Sequence, residues 1–197
     1  FGVGICEAGI TPDVGPAGTI CDNDSSAVDG DRQILVQGGD ITFAIDSSSR
    51  DVAPDTDNVE FGILTISNFG EAVELKEGIE LQGSADMDDG GVADNTNVSD
   101  IRLVNVETGA TFMGPEDLDI DGDVVFNDET ILETGEVLTL SIQGDINTSA
   151  TNTESYNFTL LMNSIEVEGV ESGEDTASFD IKPSGNPNTK VYTVADP

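Results

Sequence analysis

Histidine and tryptophan are absent from this 197-residue chain, and lysine and arginine together number six. Without histidine, the commonest general base, a member of most nucleophilic triads and a usual zinc ligand are all missing. Without tryptophan, and with only two tyrosines, little remains on which a sugar ring could stack. The basic residues, Arg32, Arg50, Lys76, Arg102, Lys182 and Lys190, stand singly along the chain. They form no run that would neutralise phosphates, so nucleic acid and anionic membrane are not expected as partners. No apolar run approaches the ~20 residues of a membrane span, and no membrane insertion is expected. No segment carries a helical stripe, so no glycine-rich phosphate loop opens a helix. The expectation is a protein that is not an enzyme. Paired carboxylates of the glycosidase type are the one catalytic apparatus the composition leaves open.

What is present in excess is negative charge: 40 acidic residues and a formal net charge of −34. A folded chain of this size exposes about 9,000 Å², roughly 260 Å² per net charge. The net charges then lie about 16 Å apart, against a Debye length of about 8 Å at physiological salt. Repulsion between copies is moderate in ordinary medium and small in brine, so self-association is permitted. The acidity reads first as a solvating coat and second as a means of gathering divalent cations.

The two cysteines, Cys6 and Cys21, lie in the Gly/Pro/Ser-rich stretch ICEAGITPDVGPAGTICDNDSS. A disulfide between them would close a short loop and stabilise by about 3 kcal/mol in the chain-entropy model. The alternative is a pair of free buried thiols. A bridge points to an oxidising, extracellular setting, as do four N-x-S/T sequons at Asn23, Asn97, Asn147 and Asn157. A first residue of phenylalanine is read as the product of processing.

Two parts are expected: an arm over 1–32 and an all-β domain over 33–197. From residue 33 the pattern is period-two alternation broken by Gly, Asn and Asp. Strands are expected at 33–37, 40–46, 61–67, 72–81, 98–106, 123–126, 136–146, 155–162, 165–169, 176–181 and 190–194. In EVLTLSIQ, Leu138, Leu140 and Ile142 share one face and Thr139, Ser141 and Gln143 the other. In SYNFTLLM, Tyr156, Phe158, Leu160 and Met162 oppose Asn157 and Thr159, and the shift of phase beyond Met162 predicts a bulge at Asn163–Ser164. Short strands separated by turn signals read as an antiparallel β-sandwich, Ig-like or jelly-roll-like.

One local motif suggests a ligand. DLDIDGDVVFND presents Asp117, Asp119, Asp121, Asp123 and Asp128 with Gly122 at the turn, in the D-x-D-x-D-G order of an oxygen-rich Ca²⁺ loop. Aspartate replaces the usual bidentate glutamate, and the flanks read as strands. The competing interpretation is an acidic turn entering DVVF. A second acidic loop, ADMDDGGVADNTN, holds Asp86, Asp88, Asp89 and Asp94. Both offer hard oxygen ligands only, so Ca²⁺ is the cation considered, and no cofactor is required.

The opening pentad FGVGI places Phe1, Val3 and Ile5 on one face of an extended strand, with glycines between them. It reads as the first strand of its own sandwich, as a remnant of processing, or as a donor strand entering a neighbouring copy. In the third case three apolar groups would contribute roughly 5–8 kcal/mol on burial, before ordering costs. The contact would be heterologous and propagate head to tail.

NVEFGILTISNFGEAVELKEGIELQG, VSDIRLVNVETGA and VVFNDETILETGEVLTLSIQGDI together resemble the immunoglobulin-like repeats of bacterial and archaeal surface-layer proteins. An N-terminal strand before a jelly-roll-like body is also similar to the subunits of secreted biofilm fibres and archaeal bundling pili, which polymerise by donor-strand exchange. The acidic cysteine-loop arm departs from both patterns. The resemblance implies a subunit of an extracellular filament or surface layer, a homopolymer whose N-terminal strand completes its neighbour. A monomeric secreted adhesion or carbohydrate-binding module is the alternative.

Overall fold

Alternation of apolar and polar side chains has its expected consequence: almost every regular element is a strand. The computed structural model describes residues 39–87, 97–119 and 121–195, all within one unit spanning Val36–Pro197. The strands are β1 (Asp40–Asp46), β2 (Arg50–Val52), β3 (Thr56–Asn68), β4 (Val73–Glu77) and β5 (Ile79–Gly83). After these come β6 (Val98–Asn105), β7 (Thr111–Glu116), β8 (Asp123–Phe126), β9 (Thr130–Leu132) and β10 (Val137–Ile146). The last are β11 (Ser155–Tyr156), β12 (Phe158–Leu160), β13 (Glu166–Gly169), β14 (Asp180–Pro183) and β15 (Tyr192–Val194).

One layer is a six-stranded sheet in the order β14-β1-β3-β10-β6-β7. The facing layer is built around the ribbon β4–β5. β9 and β8 pair along one of its sides and β13 and β12 along the other. A separate three-stranded sheet has the order β11-β15-β2. Most pairs are antiparallel, but β1–β14 and β15–β2 are parallel. Inward residues of the two layers meet in one core. Ile41 and Phe43 of β1, Leu64 and Ile66 of β3, and Leu140 and Ile142 of β10 face Leu75, Leu81, Phe126 and Phe158. Phe61 stands edge-on to Phe158, with ring centroids 5.1 Å apart, a favoured aromatic geometry.

Special residues mark where the ribbon bends. Gly78, between β4 and β5, approaches the chain so closely that a Cβ there would lie 1.4 Å from the Phe126 carbonyl oxygen. Asn68 is buried at the end of β3; its Nδ2 donates to the Glu71 carbonyl at 2.7 Å and to those of Leu132 and Glu133 at 3.1 Å. It ties the β3–β4 turn to the chain following β9.

Three local expectations are corrected. The bulge expected at Asn163–Ser164 is a 3₁₀ turn over Met162–Ser164, closed by Ser164 Oγ donating to the Leu161 carbonyl at 2.8 Å. The strand expected from residue 176 starts only at Asp180. Asp175 caps a 3₁₀ turn over Thr176–Ser178 through the Ala177 N–H. β2, β7 and β9 were not expected: two have three residues each, and TFMGPE carries a Gly-Pro pair that reads as a turn. The expected strand 33–37 and the boundary at 32/33 lie outside the described residues.

Candidate functional site

The outward faces of the two layers differ in charge. On the six-stranded sheet, Thr42, Ser67 and Val137 form one cross-strand row and Ala44, Thr65 and Thr139 the next. Ile63, Ser141 and Val104 form a third, and the exposed Asp46 of β1 ends that row opposite Ile63. Apart from Asp46, none of these side chains is ionisable. Val137 is 59% exposed, as is Val106 at 50% where its N–H meets the Thr139 carbonyl. The rest of the uncharged ones are half-buried, save Ser141, whose hydroxyl donates to Glu60 Oε2 at 2.7 Å.

Charges border this area: Asp46 ends the third row, Lys182 lies opposite Thr42 at the end of the first, and Glu60 accepts the Ser141 hydroxyl. Lys182 Nζ lies 2.6 Å from Asp180 and 3.0 Å from Asp40 at one border. At the opposite border Arg102 Nη2 donates to Asp145 Oδ1 at 3.3 Å and to Asn58 Oδ1. The Asn58 N–H reaches the same Asp145 oxygen at 2.7 Å.

The other layer points acids outward. Glu168, Glu74 and Ile131 form one row, and Glu80 pairs with Val125 in another. Lys76 is held 2.5 Å from Glu74 and 3.5 Å from Glu168. Cross-strand acids of like charge repel, so this face suits water and counter-ions.

In the expected Ca²⁺ loop, three of the carboxylates accept backbone N–H groups. Asp119 Oδ1 accepts the N–H groups of Asp121 and Asp123, both at 2.9 Å, closing the loop on its own backbone. Asp117 Oδ1 accepts the Asp100 N–H at 3.0 Å, and Asp128 Oδ2 accepts that of Gly114 at 3.2 Å. The structure therefore brings Asp119 and Asp123 together and sends Asp117 and Asp128 elsewhere. Among the described residues no group of three or more carboxylates, thiols or imidazoles is arranged to hold a metal. Asp123 keeps one carboxylate oxygen buried and unpartnered. Burial raises its pKa above the ordinary aspartate value; a hydrogen bond with Gln82 opposes the shift, and Asp119, Glu80 and Asp121 reinforce it.

The sequons fare differently. Asn97 is 2% exposed. Its Nδ2 donates to the Asp86 carbonyl at 3.0 Å and to Glu154 Oε2 at 3.3 Å, and its Oδ1 accepts the Ser149 hydroxyl at 2.8 Å. A glycan cannot be carried on an amide enclosed in this way, so Asn97 is corrected from acceptor to structural residue. Glu154, at the centre of this network, has its pKa lowered. Desolvation opposes the shift, but hydrogen bonds from the Thr151 hydroxyl, the Thr151 N–H and the Tyr156 hydroxyl outweigh it. Asn147 accepts the Ser99 hydroxyl at 3.1 Å. Asn157 is half-buried on the outward side of its strand. Asn23, Cys6 and Cys21, Phe1, Val3 and Ile5, and Asp88, Asp89 and Asp94 lie outside the described residues.

No family model matches this sequence, and no curated protein does. Among solved structures, a type III cohesin module from the ScaE scaffoldin of Ruminococcus flavefaciens is 12% identical, with TM-score 0.36, over 85% of this chain and 94% of that one. The seventh ScaB type I cohesin from Pseudobacteroides cellulosolvens is 16% identical, with TM-score 0.32, over 80% and 94%. A PapD-like domain of human CEP192 is 9% identical, with TM-score 0.37, over 92% and 99%. Likeness at this level carries no information on partner or activity.

Proposed function

We propose that this chain is a structural module outside the cell, not an enzyme, and that it works by binding protein. The observation that carries this reading is the uncharged patch on the outward face of the six-stranded sheet in a chain of net charge −34. A solvating coat has no reason to leave nine adjacent positions uncharged between Asp46 at one edge and Lys182 at another. A surface that must shed water against another protein does, because each charge buried there would incur a desolvation cost.

The finer reading is a subunit of an extracellular filament or surface layer, elongated by Phe1, Val3 and Ile5 of one copy entering the next. Of the described strands at the margins, β7 and β14 contain Pro115 and Pro183, which cannot donate to an added strand. β8 and β9 contain none and present Val125 and Ile131, 37% and 49% exposed. The β8–β9 margin is therefore the receiving edge we favour. Light scattering during size-exclusion chromatography tests this, comparing the full chain with a variant lacking residues 1–5. Polymers from the full chain and monomers from the deletion are expected. Polymers that survive the deletion unchanged would remove the donor strand, and a full chain that never associates with protein would remove the module.

A further inference from the structure

The uncharged face can be assigned an occupant, given the reading of the chain as a protein-binding structural module. We infer that it packs against the same face of a second copy, sheet on sheet, about a two-fold axis near Thr65 and Thr139.

The first argument is electrostatic. With 40 acidic residues and six basic ones, most surfaces of one copy offered to another bring like charges together, as the outward row Glu168–Glu74 shows. The nine uncharged positions, with Asp46 and Lys182 at their edges, are a place where two such polyanions can approach while desolvating few acids. The cations nearest this face, Lys182 and Arg102, are already engaged by Asp40, Asp180 and Asp145 of their own chain. The face therefore offers nothing to an acidic partner of another kind, and a neutral flat surface complements itself.

The second argument is steric. The central rows are built from Ala44, Thr65, Thr139 and Ser141. These short side chains let two sheets approach to the ~10 Å of face-to-face packing. At strand and residue spacings the nine positions cover roughly 300 Å² per copy. That gives about 600 Å² in total, short of the ~1,000 Å² of a stable specific interface and in the range of a transient contact. The association is accordingly weak for one pair and governed by what surrounds it. Acids at the rim repel across the contact, and salt screens them.

The test is sedimentation velocity of the full chain from 10 μM to 1 mM, at 0.05 and 1 M NaCl. Association is expected at high concentration and at least tenfold tighter in 1 M salt. Thr65→Asp and Thr65→Lys should each weaken it at least tenfold. Mixing the two variants should restore it, because opposite charges then meet across the axis. Val170→Asp, which adds the same charge to an exposed site after β13, should leave association as it was; circular dichroism checks that each variant is folded. A wild-type chain that stays monomeric in 1 M salt overturns the inference. So does a folded Thr65→Asp variant that associates normally, or a mixture no tighter than its parts. A chain whose polymers depend on residues 1–5 but ignore the charge at Thr65 would keep the filament reading and lose this face.

Discussion

Asp123 and Asn97 show how far a side chain's place in the fold can depart from what its local sequence suggests. Asparagine in an N-x-S/T triplet reads as a surface acceptor, yet Asn97 spends its amide on Asp86, Glu154 and Ser149 inside the fold. Asp123 reads as a cation ligand, yet it leaves one oxygen buried without a partner. Because burial raises its pKa, the folded chain holds that proton more tightly than the unfolded chain does. The stability this group contributes is full below the ordinary aspartate range and is lost as pH rises through the higher folded value. Asp123→Asn should therefore raise stability at pH 7, by about 0.5–1 kcal/mol, and change it little at pH 3. Urea midpoints of the two proteins at both values check this. A variant less stable at pH 7 would show that the carboxylate is better satisfied than its surroundings imply.

At the scale of elements, alternation located the long strands, though β3 begins at Thr56 and not at the expected 61 because TDNVE does not alternate. β1, β3, β6 and β10 fall where Ile41, Phe43, Leu64, Ile66, Leu103 and Leu140 alternate with polar residues. Short strands escaped because three residues hold too little pattern, and β7 because Pro115 signals a turn. The break between β4 and β5 was missed for another reason. In sequence Gly78 is one glycine within AVELKEGIEL; only in the fold does it lie against the Phe126 backbone. A methyl group there has nowhere to go, since carbonyl oxygens of a neighbouring strand cannot rotate away like a side chain. Gly78→Ala should destabilise by about 3 kcal/mol or more, read from the urea midpoint. A loss below about 1 kcal/mol would mean that the ribbon shifts freely at this point.

For the whole molecule the dominant fact is charge. At 0.01 M salt the Debye length is about 30 Å and spans several neighbouring acids; at 0.15 M it is about 8 Å and spans none at the mean spacing. Self-repulsion opposes the compact state. Raising NaCl from 0.01 to 0.15 M should therefore raise Tm by about 5 °C, with a smaller gain up to 1 M. Differential scanning calorimetry at these salts checks it, and a Tm indifferent to salt would show that the acids are neutralised locally. The same screening links stability to association, since both are limited by repulsion between carboxylates.

The sequence by itself determined the class of architecture, because a period of two is legible wherever one side of a strand is dry. It also determined the solvent behaviour, because net charge is a sum over residues and needs no coordinates. It carried the uncharged face as well, as Thr42 and Ala44, Thr65 and Ser67, Thr139 and Ser141 at alternate outward positions. What it could not express is that these pairs are neighbours. The order β1-β3-β10-β6 pairs β3 with β10, from Ser67 with Val137 to Thr56 with Ile146, and that adjacency is a product of strand pairing across the sheet. The same holds for the aspartate loop. Spacing put five carboxylates within a dozen residues, but the direction in which each points is set by the backbone donors that the tertiary fold brings to it.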